Sequence, residues 1–451
     1  MSDTPLTDAV RRYRATVSSR LHVPSHGGGA GSPGIVALWG ELVSWDVTEQ
    51  PELDDLSHPD GPIAAAQSLA AEFFGAAQAF FLTGGATLGV QAAVLAALQG
   101  GGALLAARDS HRSLLGATFA QGADILLLDP LRDARSGASL GLDPEAVSRA
   151  MDGSPDIRAV LVNYPSYLGV VPDLRQIARR AHAHGALVIA DAAHGAHFGL
   201  HPDLPEPALR AGADFVVLGM HKSGGALTQS AMLLLSAAAR HRADAVRLAV
   251  SLLGTSSPSY PLMVSLEQAV HDMRAVIPAR LATAIRAAEE VEGPARIKVP
   301  APQDPLRIAW RSPRVSEIVE SLALAGVRGE YVDGDTALYC VPFGAQAADV
   351  EPLRLELAGL PSPPAPPGHL QRGPVRIRPR PALLAARRKV HIGAAEGATA
   401  ADVVAPVPPG IPALWPGERI SADVAGYLAA AAAQGRRIMG LDHEQLWVVA
   451  E

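Results

Sequence analysis

Short apolar runs recur along the first half of the chain, and stretches with helical periodicity separate them. The runs lie at residues 79–82, 103–107, 125–128, 159–162, 187–190, 215–218 and 231–235. Apolar runs of this length between helices are typical of strands buried in a mostly parallel sheet that helices cover on both faces. The pattern therefore predicts a large α/β domain with a mostly parallel seven-stranded sheet.

The pattern changes after residue 260. A helical stretch at 262–291 leads to strand patterns at 307–310, 329–332 and 337–341 and a helix near 316–325, which together predict a smaller α+β domain. A further helix is predicted near 422–434. We expect five segments: an N-terminal arm, helical at 5–20 (1–30), the large domain (31–270), the small domain (271–360), an exposed Pro- and Arg-rich linker (361–381) and a C-terminal module (382–451).

Composition narrows the class of protein. The chain has 451 residues and a net charge of −7, and it lacks a basic tract long enough to bind nucleic acid. Its single cysteine, Cys340, excludes an intrachain disulfide framework, and we expect it in the core. The N-terminus lacks a secretory pattern, and glycines interrupt the long uncharged stretch at 73–107. We therefore expect a cytoplasmic protein that binds neither nucleic acid nor a membrane.

Candidate chemistry begins at residues 84–89, which read Gly-Gly-Ala-Thr-Leu-Gly between a predicted strand and a predicted helix. A glycine turn at this place lets backbone N–H groups and the helix dipole bind a phosphate. Many such turns hold no ligand, and this one lacks both the Gly-Lys-Ser/Thr of a P-loop and the spaced glycines of a dinucleotide site.

Asp191 follows the apolar run at 187–190, and ligands bind at the carboxyl ends of strands in open α/β sheets. Its carboxylate could keep a pyridine nitrogen protonated, although the same residue also suits a helix N-cap. His194 and His197 have the i, i+3 spacing of metal ligands, but Gly195 and the lack of a further acidic residue nearby make zinc the weaker interpretation. We expect no metal site.

Lys222 follows His221 just after the run at 215–218 and precedes a glycine turn. A lysine behind a buried strand is unusual, because burial is unfavourable unless the amine is paired or converted to an imine. A lysine of lowered pKa is the nucleophile that a carbonyl cofactor requires. In isolation, this lysine equally suits a solvated surface position.

The order of these features is more informative than any one of them. A phosphate turn, then Asp191, then Lys222 across one more strand is the arrangement of fold type I enzymes that use pyridoxal 5′-phosphate (PLP). His111, which alone reads as a solvated loop histidine, then suits a ring stacked on the cofactor. We expect Lys222 to hold PLP as a Schiff base and Asp191 to pair with the pyridine nitrogen.

Several segments in this order resemble the Orn/Lys/Arg decarboxylase family, in its short bacterial form without an N-terminal wing domain. They span residues 4–428 and are the stretches 46–49, 65–76, 81–89, 110–113, 191–198, 221–222, 255–260, 408–412 and 416–418. The resemblance implies a PLP-dependent transferase fold of the aspartate aminotransferase type. It also implies at least a homodimer whose subunits share each active site.

The resemblance implies roles for individual residues as well. Lys222, His111 and Asp191 are the expected catalytic residues, and Glu418 is expected beside the path by which substrate reaches the site. Ala86 and Thr87 are expected at the phosphate, Ala193 on the ring face opposite His111, and His194 near the ring hydroxyl. The full set expected to contact the cofactor is Gly85, Ala86, Thr87, His111, Asp191, Ala193, His194, His221 and Lys222, joined by Ser256 or Ser257 from a neighbouring subunit.

The chain departs from the family pattern around the expected phosphate site. The family commonly has Asn-Gly-Ser-Thr-Ser-Gly at 84–89 and Ser-Thr-His-Lys at 219–222. Four hydroxyl side chains are replaced here, by Ala86, Leu88, Gly219 and Met220. Each lost hydrogen bond to a charged phosphate costs about 1.5–3 kcal/mol if nothing replaces it. We therefore expect a weaker grip on the phosphate, or one that backbone amides provide.

The leading hypothesis is α-decarboxylation of a basic amino acid (arginine, lysine or ornithine) to CO2 and an amine, as in polyamine biosynthesis. Fold type I also supports transamination and other lyase reactions of amino acids, and the fold does not decide among them. The lost hydroxyls motivate a third hypothesis, a catalytically idle PLP-fold protein with a binding role. The presence of Lys222, Asp191 and His111 favours an enzyme.

Overall fold

The structure is a computed structural model that describes residues 2–366, 370–407 and 410–450. Its α-helices are α1 (Pro5–Thr16), α2 (Pro33–Trp39), α3 (Leu42–Trp45), α4 (Pro62–Phe74), α5 (Gly85–Ala97), α6 (Ser113–Gln121), α7 (Pro144–Gly153), α8 (Leu174–Ala183), α9 (Met220–Ser223), α10 (Ala243–Leu253), α11 (Tyr260–Ala275), α12 (Ile277–Glu289), α13 (Val315–Leu324), α14 (Ala347–Ala358), α15 (Pro379–Leu384) and α16 (Ala422–Ala433). Its strands are β1 (Gln78–Leu82), β2 (Ala103–Ala107), β3 (Asp124–Leu128), β4 (Leu131–Arg132), β5 (Ser139–Gly141), β6 (Ile157–Asn163), β7 (Leu187–Ala192), β8 (Phe215–Leu218), β9 (Ala231–Leu235), β10 (Arg307–Arg311), β11 (Tyr331–Asp333), β12 (Thr336–Cys340), β13 (Arg387–His391), β14 (Ala405–Pro406), β15 (Ile438–Met439), β16 (Leu441–Asp442) and β17 (Gln445–Val449).

The described residues form two compact units. One comprises residues of the ranges 1–99 and 188–279, and the other residues of 100–187 and 280–451. The central sheet has seven strands and is mostly parallel, which confirms the predicted fold class. Each predicted apolar run forms one of its strands, and β2, β8 and β9 have the predicted bounds. The division into five consecutive segments stays a prediction.

The first unit contains four strands of this sheet, in the order β1, β9, β8, β7. β7 and β8 are parallel, and Ala192 pairs with Leu218 at their carboxyl ends. β9 runs antiparallel to both of its neighbours, and its first residue, Ala231, pairs with Leu82 at the end of β1. The carboxyl ends of β1, β7 and β8 therefore lie at the same end of the sheet, which we call the sheet edge.

Helix α5 packs closely on this part of the sheet through a glycine. A Cβ built at Gly89 would lie 2.7 Å from a methyl group of Val217 and 2.9 Å from one of Leu82. Because glycine has no side chain, the helix can pack closely on the strands at this position. The turn at 84–87, which begins this helix, is thereby held at the sheet edge.

The second unit contains the other three strands of the central sheet, in the order β6, β2, β3, all parallel. It also contains a three-stranded antiparallel sheet, β10-β12-β11, which with α13 forms the predicted small α+β region. A third sheet, β13-β17-β16, lies in the C-terminal module with α16, which matches its predicted helix. Ser421 begins α16 by accepting a hydrogen bond from the N–H of Val424.

Three predictions about helices and side chains are wrong. The helix expected at 262–291 is two helices, α11 and α12, because Pro278 has no N–H to bond the preceding turn and restricts the residue before it. The helix of the arm ends at Thr16 rather than at residue 20. Cys340, expected in the core, is exposed at the end of β12.

The Pro- and Arg-rich stretch makes backbone hydrogen bonds to the C-terminal module. Its described residues include the start of α15, and Arg419 donates its backbone N–H to Pro374 at 2.9 Å. The N–H of Arg376 donates to the carbonyl of Gly417 at 2.8 Å. Residues 374–377 therefore pack on the C-terminal module, and residues 367–369 lie outside the described part of the chain.

Candidate active site

Three of the predicted site features lie at the same sheet edge of the first unit. Asp191 is the fifth residue of β7, the helix that carries Lys222 begins directly after β8, and the turn at 84–87 follows β1. Neighbouring strands are about 4.8 Å apart, so the features lie in a row along the edge in the order of their strands. Lys222 lies between the turn and Asp191 in this row.

Lys222 contacts a predicted neighbour directly. Its Nζ lies 3.2 Å from Nε2 of His194. The side chain of Lys222 is exposed in the single chain, which is the solvated position that the sequence left open beside a buried one. The amine is open to a small molecule.

Hydrogen bonds fix the two loops that carry Asp191 and Lys222 to each other. The N–H of Ala196 donates to Oγ of Ser223, which follows Lys222, at 3.0 Å. The N–H of Ala193 donates to Oδ1 of Asp191 at 3.2 Å and orients this half-buried carboxylate. Backbone N–H groups after Asp191 therefore help to fix both candidates: one bonds the Asp191 carboxylate, and the other bonds Ser223 beside Lys222.

The departure from the family pattern at Gly219 has a steric explanation. A Cβ built at Gly219 would lie only 2.6 Å from the carbonyl oxygen of Ala193. Real Cβ atoms do not approach a carbonyl oxygen so closely, so a serine at this position requires the two loops to separate. Met220 is fully buried, and a Cβ at Gly224 would lie 2.7 Å from its Cε. The hydroxyls lost here are replaced by close packing.

The turn at 84–87 offers backbone donors to a ligand. It begins α5, the N-cap residue is Gly84, and no side chain caps the helix. The first N–H groups of a helix have no intrahelical partner, and the positive end of the helix dipole lies beside them. Gly85 has φ +72°, Ala86 is half-buried, and Thr87 is exposed with its hydroxyl. Such a set of donors suits a phosphate.

The remaining candidate residues of the first unit are His221, Ala193, Ser256 and Ser257. Nδ1 of His221 forms a hydrogen bond with the carbonyl oxygen of Ser230 at 3.1 Å. This bond fixes the ring against the start of β9. Ala193 is buried. Ser256 and Ser257 lie on an exposed stretch after α10, where the N–H of Ser257 donates to Oγ1 of Thr255 at 3.1 Å.

His111 and Glu418 belong to the second unit, on its loop after β2 and its C-terminal module. Nδ1 of His111 accepts a hydrogen bond from the N–H of Ser113 at 3.2 Å, at the start of α6. Glu418 is buried and forms an ion pair with Arg108. Burial lowers the pKa of Arg108, and the charge of Asp129 opposes this shift. The prediction that Glu418 lies beside the substrate path stays a prediction.

Sequence reasoning missed two residues here: Arg108, which lies in the same loop as His111, and Trp415, which contacts that loop. The indole Nε1 of Trp415 donates to the carbonyl oxygen of Arg108 at 3.1 Å, and Trp415 is fully buried. The only available signal was the similarity at 416–418, beside Trp415. Residues 408 and 409 of the matching stretch 408–412 lie outside the described part of the chain.

Two further properties concern the described residues alone. No helix within 2–366, 370–407 and 410–450 has both the length and the apolar character needed to cross a membrane. In the same part of the chain, no group of three or more His, Cys, Asp or Glu side chains lies close enough together to hold a metal ion.

Comparison with known proteins agrees with this geometry. The profile of the Orn/Lys/Arg decarboxylase major domain matches residues 4–298, and that of the Orn/Lys/Arg decarboxylase C-terminal domain matches residues 382–449. An arginine decarboxylase of Halalkalibacterium halodurans is 30% identical over 464 residues, covering 94% of this chain and 92% of that protein. The uncharacterized protein YaaO of Bacillus subtilis is 31% identical over 444 residues, covering 93% and 92%.

Solved structures show the same fold. The constitutive lysine decarboxylase of E. coli superposes with a TM-score of 0.81 at 17% identity, covering 99% of this chain and 82% of that one. The pyridoxamine-pyruvate aminotransferase of Mesorhizobium loti superposes with a TM-score of 0.52 at 20% identity, covering 66% and 84%. The fold is therefore that of PLP-dependent decarboxylases and transferases.

The sequence matches define the class more narrowly. The chain belongs to the Orn/Lys/Arg decarboxylase family, which confirms the resemblance noted in its motifs. It is an amino-acid decarboxylase, and PLP is the cofactor that its family and its structural neighbours imply.

Proposed function

We propose that this chain releases CO2 from a basic amino acid with PLP bound at the edge of β1, β8 and β7, and that arginine is its substrate. The observation that carries the proposal is the placement of Lys222. Its exposed amine lies at the sheet edge between a phosphate-binding helix terminus and Asp191. This order of donors suits a cofactor that has a phosphate, an aldehyde and a pyridine nitrogen.

The residues present fit PLP. The free N–H groups at the start of α5 and the hydroxyl of Thr87 would bind its phosphate. Lys222 would bind its aldehyde through Nζ, Asp191 would hold a proton on its pyridine nitrogen, and His111 would cover its ring. When bound, PLP supplies an electron sink for the bond that breaks at the substrate Cα. Asp191 strengthens that sink because its carboxylate favours the protonated nitrogen.

His194 has a separate role in this proposal. Its Nε2 lies within hydrogen-bond distance of Lys222 Nζ, so it can exchange a proton with the amine. A proton must return to the substrate carbon after CO2 leaves, and the amine of Lys222 lies at this edge of the sheet. We propose that Lys222, assisted by His194, handles this proton.

Arginine is favoured by the relatives rather than by a contact. The relatives that carry the name arginine decarboxylase are 30–36% identical, and two of them are matched over 94% of this chain. The purified protein loaded with PLP should release CO2 from carboxyl-labelled arginine faster than from lysine or ornithine. The Lys222→Ala variant is the control and should release none. Keto acid without CO2 would contradict decarboxylation and favour the transaminase alternative.

We also propose that the chain acts as a homodimer or a larger homo-oligomer. Ser256 and Ser257 are exposed, as their expected contact with a neighbouring active site requires. Several large apolar side chains of the first unit are exposed too, including Leu38 and Trp39 of α2 and Leu252 of α10. Exposed apolar residues of this number are typical of interfaces. Light scattering should give at least twice the mass of one chain, and Trp39→Glu should lower it.

A further inference from the structure

The loop at 108–111, which carries His111, is held by the C-terminal module. The guanidinium of Arg108 forms an ion pair with Glu418, whose side chain is only 1% exposed. Oε2 of Glu418 accepts a hydrogen bond from the backbone N–H of Trp415 at 3.1 Å. The indole of Trp415 in turn donates to the carbonyl oxygen of Arg108. Both the side chain and the backbone of Arg108 are thus fixed from residues 415–418.

The same module contacts His111 itself. A Cβ built at Gly410 would lie 3.8 Å from Nε2 of His111 and 3.9 Å from its Cδ2, so the imidazole lies against the backbone of Gly410. Gly410 has φ +83°, a conformation that other residues rarely adopt. A hydrogen bond from its N–H to the carbonyl of Pro406 at 2.9 Å holds this position. The module therefore supports one side of the ring.

The central sheet also holds the loop. Nδ2 of Asn163, the last residue of β6, donates to the carbonyl oxygen of Asp109 at 3.1 Å. The N–H of Arg108 donates to the carbonyl oxygen of Leu128, the last residue of β3, at 2.9 Å. The loop is therefore held both by strand ends of the sheet and by the module, so we expect a change at the module side to move residues 108–111.

We propose that Glu418 is a positioning residue, which acts through Arg108 and sets the place of the His111 ring; this inference rests on the proposed function. A buried ion pair is weak evidence for stability, because the desolvation of both charges offsets their attraction. The contact nevertheless has a defined direction, because one carboxylate oxygen meets the Arg108 guanidinium while the other accepts the hydrogen bond from Trp415.

The test compares Glu418→Gln with a double variant and a control in PLP-loaded protein. Arg108→Met with Glu418→Leu keeps the buried volume but removes both charges. Asp335→Asn is the matched control, because Asp335 likewise pairs with a buried guanidinium of the same unit, that of Arg311. The readouts are the melting temperature, the circular dichroism of the visible cofactor band, and kcat and KM for the best basic amino acid.

We expect Glu418→Gln to lower kcat roughly 10–100-fold with KM within a few-fold, and to change the visible dichroism, because a small misplacement of a catalytic group has effects of this size. The double variant should regain the melting temperature but not kcat. Asp335→Asn should lower the melting temperature and leave the band and kcat unchanged. A double variant with wild-type kcat and dichroism would overturn the inference. A wild type that releases no CO2 would instead overturn the proposed function.

Discussion

Leu88 occupies the space that a side chain at Gly84 would need. A Cβ built at Gly84 lies 2.9 Å from Cδ2 of Leu88 and 3.0 Å from its Cβ, and Leu88 is buried. The family pattern has Asn at 84 and Ser at 88. These two departures are therefore one structural change, in which an apolar side chain fills a space that polar groups otherwise share. The backbone of the turn remains free to bind an anion.

Restoring the family residues one at a time should fail. Leu88→Ser removes a buried apolar side chain and should lower the free energy of unfolding by about 2–4 kcal/mol. Gly84→Asn alone meets Leu88 and should cost about 1–3 kcal/mol. In the double variant the two changes relieve each other, so we expect its loss to be smaller than their sum by at least about 1 kcal/mol. Urea unfolding measures all three.

The control for this coupling is Gly84→Asn combined with Leu266→Ser. Leu266 is a fully buried residue of α11, and no contact links it to Gly84. Their effects should therefore add to within about 0.5 kcal/mol. Additive losses in the Gly84 and Leu88 pair as well would show that the two positions do not share one space.

Lys222 should be the residue that PLP modifies. The chain has only three lysines, Lys222, Lys298 and Lys389, so the assignment is testable in full. Reduction of the loaded protein with borohydride should attach the cofactor to the peptide that contains Lys222, as mass spectrometry will show. Lys222→Ala should lose the visible absorption band and the release of CO2.

The other two lysines provide matched controls. Lys298 pairs with Glu292, and Lys389 with Asp442, both at the surface. Their alanine variants should keep the visible band and the rate of CO2 release of the wild type. A reduced adduct at either of them, with Lys222 unmodified, would refute the assignment.

Asp191 should matter through its charge. Asp191→Asn keeps the size of the side chain but cannot hold the proton of a pyridine nitrogen, so kcat should fall roughly 10²–10⁴-fold. Asp191→Glu keeps the charge and should retain more activity than the amide. Initial rates of CO2 release at saturating substrate measure both variants. If kcat of Asp191→Asn were within threefold of the wild type, Asp191 would have no catalytic role, and only its local hydrogen bond to Ala193 would remain as its function.

Stability should depend on pH through Glu267, which anchors the N-terminal helix. Its carboxylate accepts hydrogen bonds from the N–H groups of Leu6 at 2.8 Å and Thr7 at 2.7 Å. Burial raises the pKa of Glu267 above its usual value, and these hydrogen bonds oppose the shift. The folded chain therefore binds this proton more tightly than the unfolded chain. Its stabilising contribution is complete below the unfolded pKa and is lost as pH rises through the folded pKa.

Glu267→Gln removes this titration. The difference in free energy of unfolding between wild type and Glu267→Gln should shift in favour of the variant as pH rises from about 4, the ordinary range of a glutamate, through the raised pKa of Glu267 in the folded chain, and should stay constant above it. Urea unfolding across this range measures the shift. Glu72→Gln, at an exposed position that faces Arg274, should show no comparable trend. A difference that does not vary with pH would refute the role of Glu267.

Strand β13 could not be predicted because its side chains carry no pattern typical of a strand. Strand β13 reads Arg-Arg-Lys-Val-His and has no apolar alternation. It forms because β17 pairs with it, and because Arg387 and Lys389 lie over the ring of Trp447 at 4.5 Å and 5.2 Å. Cation–π contacts of this kind join residues far apart in the chain, so no local pattern reveals them.

The amino-acid sequence by itself determined the seven strands, the family and the order of turn, Asp191 and Lys222. It could do so because apolar runs and strand-end residues are local features, and because parallel strands bring their carboxyl ends to one edge. Only the tertiary structure decided that Lys222 is exposed, that Leu88 fills the space beside Gly84, and that Glu418 is buried against Arg108. Each of these depends on which side chains share a space, and packing between distant segments sets that.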